Sequence, residues 1–333
     1  MTATSTPPVD VRPDPAGAGP APAGRASAGP PAGPYPGSPP GPYAGRPGRG
    51  AGSTGSAGPS AGPGLWAAGA ALAILGALLL GFVAEVGPLG SLRHERDRRV
   101  GYAELRGGLA NATAPVGPTS VGTPVALLTI PQIGLREVVR EATTADVLAS
   151  GPGHRRDTVL PGQPGTSILM GRQAGYGGPF ARIGDLEKGE TFTVTTGQGE
   201  HEYRVLGVRR AGDRQPVKPK GDAGLLTLMT ADGTPYMPRG VLHVDAELVT
   251  PAQQSGGRTP GRLAADEAPL AGQPSAWIPL ILWGQALLAG AVALAWARVR
   301  WGRPHTWLVG FPVLAALGLA AADQAALLLP NLL

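Results

Sequence analysis

Cysteine is absent from all 333 residues. That excludes disulfides, thiolate metal sites and any chemistry that needs a thiolate nucleophile. An exported domain without disulfides has to be held by its own core. Lysine is nearly absent too, 3 against 25 arginines, which we read as coding bias without any claim about phosphate binding. Aromatic residues make up only 5% of the chain, and no basic stripe carries them interleaved, so a nucleic-acid partner is not expected despite the net charge of +5. No His stands with a carboxylate at metal-ligand spacing, and neither a metal nor a cofactor is expected. Large apolar side chains are missing from residues 1–64, which instead hold 16 Pro and 15 Gly. Such a segment cannot offset its ordering entropy, so a disordered Pro/Gly-rich tail is expected, either a solvated spacer or a dock for a proline-reading partner. Its arginines, Arg12, Arg25, Arg46 and Arg49, are too sparse for a nucleic-acid arm.

Elsewhere the chain has long apolar runs. Residues 65–83 form an uncharged run of 19 residues, enough to cross a hydrocarbon core of about 30 Å as a helix. No small-residue cleavage site follows it directly, so it reads as an uncleaved anchor, with the transmembrane helix spanning 65–86. Residues 276–297 are a second span, with Trp277 and Trp296 where interfacial aromatics belong. Residues 307–330 are a third, interrupted by Asp323 and Gln324. Between the last two, residues 298–306 carry Arg298, Arg300 and Arg303, the mark of a cytoplasmic loop. This places the middle of the chain outside and the tail over 1–64 in the cytoplasm, in a multi-pass protein of the cell membrane. Arg93, Arg96, Arg98 and Arg99 lie on the outer side in this arrangement, against the rule. Asp323 is costly in mid-membrane and either pairs with another span or partner, or lies near the outer end of a short span.

Residues 87–124 read as a stalk, with a short helix around 102–105, and residues 251–275 as a linker. Between them, residues 125–250 show short β-type runs punctuated by Gly and Pro: 125–130, 135–139, 166–170, 191–195, 201–209, 225–230 and 241–249. Tyr203, Val205 and Val208 are the inward candidates of the 201–209 run. Residues 144–150 read as one or two helical turns from a Thr cap. So many short strands in this length mean an all-β barrel or sandwich.

Several strings in this segment occur in order with sensible gaps. They are Ile130-Pro131-Gln132-Ile133-Gly134-Leu135, Leu148-Ala149-Ser150-Gly151-Pro152-Gly153-His154, Leu160-Pro161-Gly162-Gln163-Pro164-Gly165, Tyr176-Gly177-Gly178-Pro179-Phe180 and Leu186-Glu187-Lys188-Gly189-Glu190. Together they resemble the sortases, the cysteine transpeptidases of Gram-positive cell surfaces, and within them the actinobacterial class E/D-like enzymes. The resemblance covers residues 129–249 and implies a sortase-type eight-stranded β-barrel. It also implies a site in which a Cys attacks a sorting-signal backbone, a His moves protons and an Arg steadies the substrate.

Carried onto this chain, those roles find little chemistry. The nucleophile position, after Leu226-Thr227-Leu228-Met229-Thr230, is Ala231. The His position, in Gly171-Arg172-Gln173, is Arg172, whose guanidinium stays charged near neutrality and is no acid or base there. The Arg position falls at Arg239, which also reads as a solvated strand-edge charge. Thr230 points away from the side that residue 231 faces. Asp232 belongs to a turn over 232–235, His154 to loop structure, and His201 and His243 to half-exposed strand positions. No catalytic residue is intact. Arg172 and Arg239 would put two fixed positive charges in one groove, suited to the carboxylate or backbone of a sorting-like peptide or to an anionic cell-wall precursor. The expected function is a membrane-anchored pseudo-sortase that binds such a peptide or assists an active sortase. A structural scaffold with a decayed groove, and an enzyme using non-cysteine residues, are the alternatives.

Overall fold

The computed structural model describes residues 63–301 and 303–333. The tail expected over 1–64 lies outside the described residues, Pro63 and Gly64 excepted.

Eight strands form the middle domain: β1 (Pro124–Ile130), β2 (Leu135–Glu141), β3 (Gly153–His154), β4 (Gly165–Met170), β5 (Thr191–Thr196), β6 (Gly199–Arg209), β7 (Gly224–Thr234) and β8 (Met237–Leu248). They close into a barrel in the order β1-β2-β3-β4-β7-β8-β6-β5. β5 pairs back onto β1, so no edge is left open. The pairs β2–β3 and β4–β7 are parallel, the rest antiparallel. Strand alternation sends Leu226, Leu228, Val194, Val205 and Val244 into a dry interior, where Phe192 and Tyr203 stack with ring centroids 5.8 Å apart. Val208 also packs on this core, because a register shift between Val205 and Gly207 reverses the alternation.

The same alternation corrects the expectation for His201. It shares the inward side of β6 with Tyr203 and Val205, is 1% exposed, and its Nε2 lies 3.1 Å from Thr196 Oγ1. Gly162, at φ +90°, lets the chain pass so close that a Cβ there would meet the His201 ring at 2.3 Å. His243 is half-buried. His154 is buried with Nδ1 2.9 Å from Glu141 Oε2 and Nε2 2.9 Å from the Val159 carbonyl, tying β3 to β2 and to the following loop.

The first helix does not stop at the membrane run. α1 (Pro63–Ala84) passes through a π-helical turn at Glu85–Leu89 into α2 (Gly90–Ala110). The π turn accommodates Pro88, which lies where the span expected over 65–86 gives way to the stalk expected over 87–124. α2 replaces most of the anticipated stalk for two reasons. Glu95 pairs with Arg98 and Arg99 at helical spacing. Gly90, His94, Gly101 and Leu105 form a buried stripe toward the barrel. His94 Nε2 sits 3.1 Å from Glu137 Oε1 on β2, and Arg140 Nη2 donates to the Asp97 carbonyl at 2.9 Å.

A short α3 (Ala145–Ser150) follows β2. α4 (Trp277–Trp301) and α5 (Arg303–Ala326) form an apolar hairpin, its connection tighter than the loop expected over 298–306. Arg298 and Arg300 lie in the last turn of α4, where the helix dipole favours cations. Among the described residues, three helices are long and apolar enough to cross a membrane. Asp323 lies one turn from the end of α5 and accepts a 2.6 Å hydrogen bond from Arg93 Nη1 of α2.

Burial holds the His201 and His243 imidazoles below their ordinary pKa. The unfolded chain then takes up protons first, near about pH 6.5, so stability present above that pH is lost as pH falls through it. Thermal unfolding of the detergent-solubilised chain is expected at a lower temperature at about pH 5 than at about pH 7. A shallower dependence is expected in His201→Gln; an identical slope would remove His201 from this role.

Candidate functional site

Arg172 and Ala231 are brought side by side by the parallel pairing of β4 and β7. The register matches Met170 with Met229, two residues before each. Gly171 continues the contact. Its N–H donates to the Met229 carbonyl at 3.0 Å, and its own carbonyl accepts from Thr230 Oγ1 at 2.9 Å. A Cβ on Gly171 would meet the Phe180 ring at 2.5 Å, so only glycine permits this approach.

Ala231 is 1% exposed and packs with Leu148, Met170, Met229 and Leu332. Thr230 points to the other side, as alternation requires, with its hydroxyl committed to Gly171. Asp232 does not begin the turn. β7 runs on to Thr234, the hairpin turns at Pro235 and Tyr236, and Asp232 lies 3.3 Å from Arg210 in an ion pair. Arg239 is exposed on β8, beside Gly240, which pairs with Asp232. It makes no ion pair or side-chain hydrogen bond among the described residues.

Arg172 is entirely buried. Its Nη1 donates to the main-chain oxygen of Leu333 and its Nη2 to that of Ala145, each at 3.2 Å. Its guanidinium lies over the Tyr176 ring, 4.8 Å from the centroid. Burial pushes its pKa down to about 10, which still leaves it charged near neutrality and useless as a general base. Tyr176 holds its place in a left-handed conformation, φ +54°, with its N–H donating to Val86 of the π turn at 3.2 Å.

What buries Arg172 is the chain that follows α5. Gln173 N–H donates to the Leu332 carbonyl at 2.9 Å, and Leu332 is wholly buried. Asn331 Nδ2 reaches the carbonyls of Asp266 at 2.6 Å, Ala268 at 3.0 Å and Thr143 at 3.3 Å. The expectation of two guanidinium groups facing one open groove therefore does not hold at Arg172. Residues 331–333 stand over it, while Arg239 remains outside. Sequence reasoning missed this cover because residues 327–333 read as the fading end of an apolar span; the Pro330-Asn331 step was the available signal.

Residues 128–249 match the family model described as the Sortase domain. The barrel is similar to the Sortase domain over these residues. Sortase D of Bacillus subtilis (strain 168) is 30% identical over 102 residues, 31% of this chain and 46% of that protein. The chain thus spans about half the length of this curated relative. Among solved structures, a Clostridium perfringens Sortase D5 transpeptidase is 22% identical, with a TM-score of 0.40 over 46% of this chain and 99% of that one. Sortase E1 from Streptomyces coelicolor, solved with a tripeptide in its active site, is 18% identical, with a TM-score of 0.34 over 39% of this chain and 90% of that one.

In this barrel Arg172 is a buried charge whose hydrogen-bond acceptors are main-chain oxygens, and an apolar residue of similar volume replaces it at less cost than a cavity does. Arg172→Met is expected to change stability by less than about 1 kcal/mol, or to stabilise. Arg172→Ala is expected to cost about 2–4 kcal/mol. Denaturant unfolding of the full chain checks both; equal losses would show that the hydrogen bonds, not the packing, carry the residue's contribution.

Proposed function

We propose that this protein is a membrane-anchored, non-catalytic sortase-domain protein that holds a peptide segment without cleaving it. The observation that carries the reading is the side-by-side placement of Ala231 and Arg172. A methyl group stands at the nucleophile position implied by the resemblance, and a fixed cation at the position of the proton carrier. The surrounding groups support holding over reacting. Gln173 N–H and the Arg172 guanidinium hold the main-chain oxygens of Leu332 and Leu333, and Leu148, Met170, Met229 and Ala231 pack around the Leu332 side chain. Arg239, exposed on the adjoining hairpin, supplies a charge for the part of a peptide that extends beyond the pocket.

The peptide class is a surface-protein sorting segment, with a cell-wall precursor as a less specific anionic alternative. A role beside an active sortase in the same membrane fits a domain that binds such segments and does not process them. The arginines at the α4–α5 connection support a cytoplasmic hairpin turn, a barrel outside the cell and a cytoplasmic tail over 1–64. A second reading, a scaffold whose site serves only its own fold, is favoured by the cover over Arg172.

Incubated with a fluorogenic sorting-type peptide and an amine acceptor, the purified full chain is expected to give no turnover above buffer. Ala231→Cys alone is expected to stay inactive, because no base stands beside the restored thiol. Steady turnover by the unaltered chain would contradict the non-catalytic reading.

A further inference from the structure

We propose that residues 331–333 are the resident ligand of the sortase-domain site, and that an incoming peptide must displace them. The inference rests on the peptide-holding reading and adds its regulation: the site is shut in cis. Leu332 fills the pocket against Leu148, Met170, Met229 and Ala231. Its carbonyl takes the Gln173 N–H, and the next main-chain oxygen takes Arg172 Nη1. These are contacts of an extended peptide read through its backbone with one apolar side chain inserted. They come from a segment separated from Arg172 by about half the chain.

The seat is incompletely satisfied. Arg172 Nε, Gln173 Oε1 and Asn331 Oδ1 are all buried without a partner in the protein. Arg172 donates to two main-chain oxygens and lies over an aromatic ring, with the Asp146 carboxylate near enough to favour its charge but making no hydrogen bond to it among the described residues. A ligand that supplies an acceptor or a carboxylate to Arg172, an apolar residue to the pocket and a carbonyl to Gln173 would meet more of these groups than the resident segment does. The chemical class implied is an extended peptide with a bulky aliphatic residue flanked by an acidic or acceptor-rich position.

The position of the segment is set by the membrane helices. α5 delivers it, and the Arg93–Asp323 bond fixes the end of α5 against α2. Gly175, on the loop carrying Tyr176, is packed so that a Cβ would meet both Leu333 and Val86 at 3.3 Å. The segment therefore lies between the site and the π turn, where a shift of the helices would move it.

The absence of native cysteine makes this testable in the full chain. In the double variant Ala231→Cys/Leu332→Cys in nanodiscs, mild oxidation is expected to form the intramolecular disulfide nearly completely. A synthetic Leu-Leu-Leu-Pro-Asn-Leu-Leu peptide, matching residues 327–333, is expected to slow that reaction several-fold. The same peptide, fluorescently labelled, is expected to bind Leu332→Asp at least about tenfold more tightly than the unaltered chain, the change that about 1.4 kcal/mol brings. Absence of the disulfide, with Leu332→Cys labelled as fast as an exposed thiol, overturns the proposal. Equal peptide binding by both proteins, without effect on the disulfide, overturns it too and leaves the peptide-holding reading standing. Binding to neither, with the disulfide formed, overturns the peptide-holding reading and makes the segment a fixed part of the fold.

Discussion

One buried guanidinium organises this molecule. Arg172, two residues after β4, stacks on Tyr176 and donates to the main-chain oxygens of Ala145 at the start of α3 and Leu333 beyond α5. A charge in such a place is tolerated only while its N–H groups find acceptors. Each acceptor comes from a different part of the chain. The barrel, the loop bearing Tyr176 and the segment leaving the membrane hairpin therefore share the same requirement, to keep Arg172 covered.

The membrane side is bound to this centre by a second set of contacts. The first helix stays continuous through Pro88 because a π turn absorbs the disruption, and the carbonyl of Val86 takes the Tyr176 N–H. Arg93, two turns away, holds Asp323 at the far end of the hairpin. The arginines after the first span, which opposed the loop-charge rule, are largely matched locally: Arg98 and Arg99 by Glu95, and Arg93 by Asp323 and Glu85. Their role is to fasten helix to barrel and hairpin, which weakens their weight as topology signals.

Most of the barrel was legible because strand signals are local. The alternation in Thr191–Thr196, the apolar run of Pro124–Ile130 and the Gly and Pro punctuation between them each declare a strand within a few residues. Even the inward turn of Val208 could be anticipated, though its cause, a bulge, could not. The resemblance implied Ala231 and Arg172 as the nucleophile and His positions, and that assignment remains part of the proposed reading. Three things were not legible in the sequence. His201 needed the barrel interior to be known before its side could be assigned. α2 looked like a loose stalk because its stripe of Gly90, His94, Gly101 and Leu105 contains little hydrophobicity, its partners being polar groups on β2. The cover over Arg172 depends on a contact between residues 161 positions apart, which no local pattern encodes.

Arg172 and Gln173 hold the backbone of residues 332–333, so on the proposed reading the site grips its own chain. The most direct check is amide hydrogen exchange of the full chain in a bilayer, read at Gln173, whose N–H donates to Leu332, and at Asn331, whose N–H donates to Ala271. Protection comparable to that of the paired strands β4 and β7 is expected. Exchange at Gln173 as fast as in an exposed loop, with β4 and β7 still protected, would contradict a site closed by its own chain.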